Sequence, residues 1–460
     1  MNALPARISL NDWRQRYAAL KNSGMTEPCY GGPLERHFDD DDLRLADLKF
    51  DNSAAALHLW NFLLTEEDRL AKARQSGKKI IGTMKDLGTV PVLAYAIDNI
   101  AAFYPDGAWW IPCIMKNSDG LLSIADSLGI DECFCPVRAM LGAFTTCAHF
   151  PIPDSLICSA GAVCDDFSAI AQRLCSLGFD IFWWEMPRRR SPQPREESLS
   201  VPGGIEVPQS MIELLECEFR RIATHIENIA GRKISIAGLE KSIALTNYAR
   251  SLLMQLRTAV FTAQVCPLGA LEMLISEMLI IHFCSDRTGT IFVLEKLLEE
   301  VKRRVDAGVS ILPDGSVKIF WVNPVADLAA MPLLEDLGGR ICGTDYMITH
   351  ALLPIMTGID PYSALARSAA ADLMTGPTQD RAYSICSEAR KFGSEAVIIS
   401  RIPGASHCAT ETPIIAEMVR HELGIPVLEI EVPTILDPVR PSLQTKIEAL
   451  IETALQRRAK

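Results

Sequence analysis

Fourteen cysteines are the residues of this 460-residue chain with the broadest capacity for chemistry. A thiolate acts as a nucleophile or a metal ligand, whereas a buried thiol packs like a small apolar side chain. The first residues lack the apolar core of a signal peptide, and the most apolar later run, residues 268–283, is interrupted by Glu272 and Glu277. We therefore expect a cytoplasmic protein without a membrane span, whose cysteines are not paired in structural disulfides.

Cys164 follows a strand predicted over residues 155–159 through a turn of small residues, Ala160-Gly161-Ala162. The next residue is Asp165, which we expect to cap a helix that begins at Asp166. A thiol in this position lies at the carboxyl end of a strand and beside a helix amino terminus. The unpaired N–H groups of that terminus favour anions, including thiolates.

Cys408 has the same kind of position in the second half of the chain. It follows a strand predicted over residues 396–400 and precedes a helix that we expect to begin at Thr412 and Pro413. Because the carboxyl ends of parallel strands form the ligand crevice of an open sheet, both thiols are candidate metal ligands.

A Cys-x-Cys pair, Cys133 and Cys135, precedes a helix-like segment in the first half and joins the candidate ligands. Cluster binding needs thiolates that converge, so the pair together with Cys164 and Cys408 predicts an iron–sulfur site. The interpretation of Cys147 and Cys158 stays open between packing and ligation. We interpret four further cysteines as packing residues on helices or in a strand: Cys217, Cys284, Cys342 and Cys386.

Strands alternate with helices in two stretches of the chain, which predicts α/β domains with parallel sheets. In the first stretch we predict a helix over residues 90–103 and a strand over residues 109–114. We divide the chain into an N-terminal helical extension, a first α/β domain, a proline- and arginine-rich linker, a helical segment and a second α/β domain. Their bounds are 1–76, 77–187, 188–208, 209–308 and 309–460.

Charge and missing motifs exclude several function classes. The formal charge of −12 argues against nucleic acid or an anionic membrane surface as a partner. The sequence contains no Cys-x-x-Cys pair, no His-Glu-x-x-His, no P-loop and no Gly-x-Gly-x-x-Gly after a strand. Two histidines lie near candidate ligands, His149 and His407, and we interpret His407 as a hydrogen-bond donor to a sulfur.

In its local motifs the chain resembles the 2-hydroxyacyl-CoA dehydratase and benzoyl-CoA reductase superfamily. The motifs follow the family's order over roughly residues 78–451: CPVRAMLG from Cys135, SLICSAGAVCDD ending at Asp166, GSEAVIISRIPGASHCATETP from Gly393, GIPVLEIEV from Gly424 and LQTKIEALIE from Leu443. The segment around Cys408 is longer than the family's usual turn, and the first motif has the additional Cys133.

The resemblance implies two flavodoxin-like domains that hold a [4Fe–4S] cluster between them. Carried over by motif, the ligands are Cys135 (or Cys133), Cys164 and Cys408. One branch of the superfamily holds a double-cubane [8Fe–9S] cluster through six thiolates, and Cys147 and Cys158 complete that count here.

The resemblance also implies function and partners. It predicts a radical-type dehydratase or reductase of acyl-CoA thioesters, whose electrons come from a separate, ATP-hydrolysing iron–sulfur activator. A homologous second subunit is expected, in a homodimer or a heterodimer. Two alternatives stay open: a double-cubane reductase of small molecules that does not use coenzyme A, and a non-catalytic subunit that relays electrons.

Near the predicted cluster, three polar residues are candidates for tuning it or contacting substrate: Arg138, Ser400 and Arg401. The arginine run at residues 188–190 is open between binding the phosphates of coenzyme A and forming a solvated loop.

Overall fold

The computed structural model describes residues 48–84, 88–106, 118–148, 150–161, 163–280 and 285–460, together with five isolated positions before residue 23. The strand predicted over residues 109–114, His149 and Cys284 lie outside these ranges. Within them, no helix has both the length and the hydropathy needed to cross a bilayer.

The first α/β domain contains a four-stranded sheet in which every neighbouring pair is parallel. The strands lie in the order β2-β1-β3-β4. Their bounds are Lys79–Met84 for β1, Ile100–Phe103 for β2, Ser155–Gly161 for β3 and Ile181–Met186 for β4. The helices between them are α3 (Val90–Ala94), α4 (Ser118–Ser127), α5 (Ala139–Thr146) and α6 (Asp165–Ser176).

The second α/β domain contains another four-stranded parallel sheet, in the order β10-β9-β7-β8. Its strands are β7 (Val317–Val322), β8 (Gly339–Asp345), β9 (Ala396–Arg401) and β10 (Val427–Glu431). The intervening and closing helices are α11 (Ala330–Asp336), α12 (Pro361–Ala371), α13 (Thr378–Lys391), α14 (Ser406–Leu423) and α15 (Arg440–Arg458). The apolar residues of β9 are buried on both faces, as a parallel strand covered by helices requires.

Counted in chain order among the described strands, the two sheets share one order, 2-1-3-4, which matches the first four strands of the flavodoxin-like order. The third strand is β3 in the first domain and β9 in the second. In each domain the order reverses between the first and third strands, so the ligand crevice is expected beyond their carboxyl ends. Cys164 follows β3 and Cys408 follows β9.

Helices link the two sheets. The middle of the chain forms a two-stranded antiparallel hairpin and then four helices: β5 (Ser198–Val201), β6 (Ile205–Pro208), α7 (Gln209–Ala230), α8 (Ile236–Thr262), α9 (Ala270–Met278) and α10 (Arg287–Asp306). Between residue 48 and the first strand the structure describes two helices, α1 (Ala54–Leu64) and α2 (Glu66–Gln75). One buried apolar cluster extends from Leu156 in β3 through Leu253 in α8 to Ile398 in β9. This continuous core fixes one sheet relative to the other.

Three local predictions of secondary structure are wrong, and Cys217, which was predicted to pack, is exposed on α7. The predicted helix over residues 90–103 is the short α3 followed by β2, because the chain turns at Tyr95–Asn99 and enters the sheet. Cys164, not Asp165, is the N-cap residue of α6. The helix after β9 begins at Ser406 rather than at Thr412 and contains Pro413 in its interior.

Candidate functional site

The backbone before Cys164 adopts two conformations that L-residues avoid. Gly161 has φ +90°, and a Cβ there would lie 2.4 Å from the carbonyl oxygen of Met186. Val163, a β-branched residue, has φ +89°. Such a conformation costs about 1–3 kcal/mol and persists only where the surroundings enforce it. Cys164 follows this turn and lies, buried, at the start of α6.

Cys135 lies in a tight loop that Arg138 supports. The backbone N–H of Cys133 donates to Asp131 Oδ1 at 3.0 Å, which closes the turn before Cys135. Arg138 is 6% exposed and donates from Nη1 to the carbonyl oxygen of Phe134 at 3.0 Å. Cys133 is exposed, whereas Cys135 is partly buried. Arg138 thus positions the loop that carries the Cys135 thiol.

Cys408 lies in the first turn of α14 and is completely buried. The loop before it packs directly on the Cys135 loop. Gly404 has φ +77°, and a Cβ there would lie 2.4 Å from the carbonyl carbon of Phe134 and 2.8 Å from the backbone nitrogen of Cys135. Only glycine permits this approach, which brings the two loops from opposite halves of the sequence together.

Asp166 joins the two domains at the thiols. Its Oδ2 lies 3.7 Å from Cys164 Sγ and accepts the backbone N–H of Ser406, at the start of α14, at 3.1 Å. His407 Nε2 lies 3.2 Å from Cys408 Sγ. One ligand atom each from Cys164, Asp166 and His407 lies within 4.8 Å of the other two.

The pKa of Cys135 responds to both of the other thiols. Burial raises the pKa of Cys135 well above its usual value, and nearby Cys164, Asp166 and Cys408 raise it further. Burial raises the pKa of Cys408 to about 11, partly opposed by the positive charge of Arg381. Without a bound cation, Cys135 and Cys408 are therefore neutral thiols at pH 7.

Behind Cys408 lies a buried ionic network centred on Arg381. This guanidinium is 1% exposed and donates to Glu411 Oε2 at 2.5 Å and to Asn323 Oδ1 at 2.7 Å. Asp345, at the end of β8, is 3.4 Å from it. The pKa of Asp345 is lowered by Arg381 and His350 in spite of complete burial. Within this network the positive charge of Arg381 lowers the pKa of Cys408, and the negative charge of Glu411 raises it.

His350 extends this network into a cavity of about 170 Å³. Its Nε2 lies 2.8 Å from Asp345 Oδ1, and its Nδ1 lies 3.5 Å from Asp372 Oδ1. These two carboxylates raise the pKa of His350 to about 9 against the effect of burial, so the ring is cationic at neutral pH. Arg257 and Glu388 form an ion pair at 3.1 Å on the same cavity wall.

The other predicted site residues have different surroundings. Ser400 is completely buried; its Oγ accepts the Trp321 indole N–H at 3.0 Å and donates to the carbonyl oxygen of Asn323 at 2.9 Å, which fixes the end of β9. Arg401 follows it, partly buried, at the strand terminus. Any contact of either residue with substrate stays a prediction.

Two predicted ligands lie in positions unlike those of the three thiols. Cys158 is completely buried inside β3, where its Sγ lies 3.5 Å from the carbonyl oxygen of Ser159. Cys147 is exposed at the C-terminal end of α5, with φ +55°. The contacts described above therefore bring together Cys135, Cys164 and Cys408.

The donor set at this site fits a thiophilic metal centre. Three thiols are the ligands that iron–sulfur clusters require, and imidazole also suits iron. His407 Nδ1 is buried and has no hydrogen-bond partner among the described residues, so one nitrogen lone pair or N–H is left for a group that binds between the domains.

Two parts of the site were not predicted. Asp166 follows Cys164 by two residues, and the repeated aspartate of the CDD sequence is the signal that could have found it. Arg381 lies on a helix 27 residues before Cys408 with no local motif, and only the fold brings its charge to the thiol.

One comparison with known proteins matches most of the chain. The sequence model of the family described as 2-hydroxyglutaryl-CoA dehydratase, D-component, matches residues 91–454. Those residues include Cys135, Cys164 and Cys408. No curated protein matches the chain.

Proposed function

Because the chain belongs to the family of the 2-hydroxyglutaryl-CoA dehydratase D-component, we propose that it is the iron–sulfur subunit of a cytoplasmic, radical-type acyl-CoA dehydratase or benzoyl-CoA reductase-like enzyme. The observation that carries the proposal is the contact between the two halves at the thiols. Asp166, beside Cys164, accepts the N–H of Ser406 at the start of the helix that holds Cys408.

Cys135, Cys164 and Cys408 are the proposed ligands of a [4Fe–4S] cluster. When bound, such a cluster supplies single electrons at low potential, and any iron that lacks a protein ligand is a Lewis acid. The chain supplies a site with little water, because Cys164 and Cys408 are buried and Gly404 packs on the Cys135 loop. Arg381 lowers the pKa of Cys408 and so favours its thiolate form.

Surrounding residues have proposed supporting roles. Arg138 holds the Cys135 loop in place, and Ser400 fixes the strand that leads to the Cys408 loop. Arg401, at the end of β9, is the candidate for contacting substrate. Cys133 is exposed on the same loop as Cys135, and it is the alternative ligand if the first ligand of the cluster lies two residues earlier in the chain.

The partners follow from the same proposal. An ATP-hydrolysing iron–sulfur activator would deliver electrons, and a homologous second subunit would complete the enzyme. Within the arginine run, Arg189 pairs with Asp380 at 3.0 Å and Arg190 pairs with Glu196 at 2.5 Å. Arg188 is exposed and is therefore the best candidate in the run for a phosphate of coenzyme A.

The decisive experiment is an anaerobic assay of the purified chain with its activator protein, ATP and a panel of 2-hydroxyacyl-CoA and aromatic acyl-CoA thioesters. We expect ATP-dependent loss of water or reduction of at least one thioester, and no turnover by Cys164→Ala. Cys217→Ala, an exposed cysteine on α7, is the matched control and should retain activity. The proposal fails if the iron-loaded chain with activator and second subunit transforms no thioester.

Iron and sulfide content tests the double-cubane alternative. About four of each per chain supports a single cubane, and about eight iron atoms support the double cluster. The single cubane is favoured by the position of Cys158 inside β3 and of Cys147 on the surface, because six thiolates of one cluster must converge.

A further inference from the structure

The His407 ring lies at the thiol site, and one of its two nitrogens has no partner among the described residues. Its Nδ1 is buried without a hydrogen-bond partner among the described residues. Its other nitrogen, Nε2, lies 3.2 Å from Cys408 Sγ. A neutral imidazole carries one proton; placed on Nε2, that proton is donated to the sulfur and leaves the lone pair on Nδ1.

The position of the ring suits ligation. A ring nitrogen of His407 lies within 4.8 Å of both Cys164 Sγ and an Asp166 carboxylate oxygen. These three residues come from both halves of the sequence, and Cys164 and Asp166 are buried. Donors this close together can share one metal centre after small side-chain movements.

Asp166 differs from His407 in having partners already. Its Oδ2 accepts the N–H of Ser406 at 3.1 Å and lies 3.7 Å from Cys164 Sγ. These contacts suit a residue that orients the ligands, as carboxylates do around many metal sites. The unpartnered nitrogen therefore singles out His407 as the additional ligand.

We propose that His407 is the fourth protein ligand of the metal centre held by Cys135, Cys164 and Cys408. This inference rests on the proposed iron–sulfur function and makes it more specific. A centre with three thiolates and one imidazole offers no iron for a substrate oxygen. The centre in this subunit then transfers electrons, and the oxygen of the acyl-CoA thioester is activated at another centre of the enzyme.

The test is pulsed electron paramagnetic resonance of the reduced, iron-loaded full-length chain, prepared anaerobically with ¹⁵N-labelled histidine. We expect a directly bonded histidine nitrogen in the unaltered chain and in His421→Ala, and its loss in His407→Ala. His421 is the matched control because it lies on the same helix with its side chain 84% exposed. A cluster spectrum without nitrogen coupling, or coupling that survives in His407→Ala, overturns the inference and leaves the proposed function standing.

A second variant covers the case in which His407→Ala does not assemble the cluster. His407→Cys keeps four ligands, so we expect full iron content, no nitrogen coupling and a lower reduction potential, since thiolate in place of imidazole lowers the potential. An unchanged potential with full iron contradicts ligation by His407.

Cobalt(II) separates the inference from the proposed function. If the chain assembles no iron–sulfur cluster at all, the proposed function fails. Titration of the metal-free chain with Co²⁺ still tests His407: we expect thiolate-to-cobalt absorption that changes in His407→Ala and not in His421→Ala. Identical cobalt spectra in all three proteins overturn the inference.

Discussion

The two α/β domains share a strand order but contribute different chemistry at the same topological positions. In each, a cysteine follows the third strand: Cys164 after β3 and Cys408 after β9. The segment before the third strand differs. The first domain places Cys135 there, ahead of α5, whereas the second domain places Arg381 there, in the first turn of α13.

This difference suggests how one repeated fold builds an asymmetric site. The first domain offers two thiols on a strained turn and a loop; the second offers one thiol, an imidazole and a buried cation. Arg381 is held by Glu411, Asp345 and Asn323, whereas Arg138 in the first domain has a single hydrogen bond to Phe134 and lies 3.4 Å from a half-exposed Asp126. The second domain is expected to be the more rigid support.

The largest expected effect on stability comes from removing the positive charge of Arg381. Arg381→Met leaves Asp345 and Glu411 without their buried partner, which should lower the free energy of unfolding by about 3–5 kcal/mol. Arg138→Met should cost about 1–2 kcal/mol, since it loses one hydrogen bond and a half-exposed ion pair with Asp126. Urea denaturation of both variants measures the difference. Equal losses of unfolding free energy in the two variants would contradict the proposed difference in rigidity between the domains.

Two histidines should respond to pH in opposite directions. His350, in the second domain, has its pKa raised from 6.5 to about 9 by Asp345 and Asp372. The protonated His350 ring stabilises the folded chain fully below pH 6.5. This stabilisation is lost as the pH rises through about 9, a change in unfolding free energy on the order of 3 kcal/mol. His225 packs on the first sheet, stacked on Phe182, and burial lowers its pKa. Its neutral form is favoured on folding, so stability falls as the pH drops below 6.5.

Unfolding midpoints from pH 5 to pH 10 measure both histidines. His350→Gln should remove the loss of stability above pH 7, and His225→Gln should reduce the loss below pH 6.5. A His350→Gln profile that parallels the unaltered chain above pH 7 would contradict the ion-pair account.

The contact between the domains should depend on Gly404. Gly404→Ala adds a Cβ against Phe134 at a positive φ and should cost about 2 kcal/mol. Gly424→Ala is the matched control. Gly424 has φ +60°, but a Cβ there meets nothing within 4 Å, so we expect a loss of about 1 kcal/mol in the free energy of unfolding. Thermal unfolding compares the two variants. If both cost the same, the 404 loop does not press on the Cys135 loop.

The smallest expected effect is a gain in stability. Cys147 is exposed with φ +55°, a conformation in which glycine is favoured, so Cys147→Gly should stabilise the chain by about 0.5–1 kcal/mol. Iron content should not change. A loss of iron would make Cys147 a ligand and revive the double-cubane alternative.

Sequence patterns predicted the fold class because parallel strands are buried apolar runs separated by helices, as β9 illustrates. Patterns failed at residues 90–103, where Asp98-Asn99 is the turn signal between a single helical turn and a short apolar strand, and the prediction passed over it. At the site, the positions of Cys164 and Cys408 could be predicted, because each follows the end of a strand and the signals for a strand, a turn and a helix lie in the local sequence. Arg381 and the Gly404 contact could not be predicted, because both depend on how distant segments pack.

The central claim is that thiols from both halves of the chain hold one metal centre. The most direct test is the iron and sulfide content and visible spectrum of anaerobically prepared Cys164→Ala and Cys408→Ala, with Cys217→Ala as the control. We predict about four iron and four sulfide per chain in the control and loss of the visible absorption in each of the other two variants. Full iron content and an unchanged spectrum in either variant would contradict the claim.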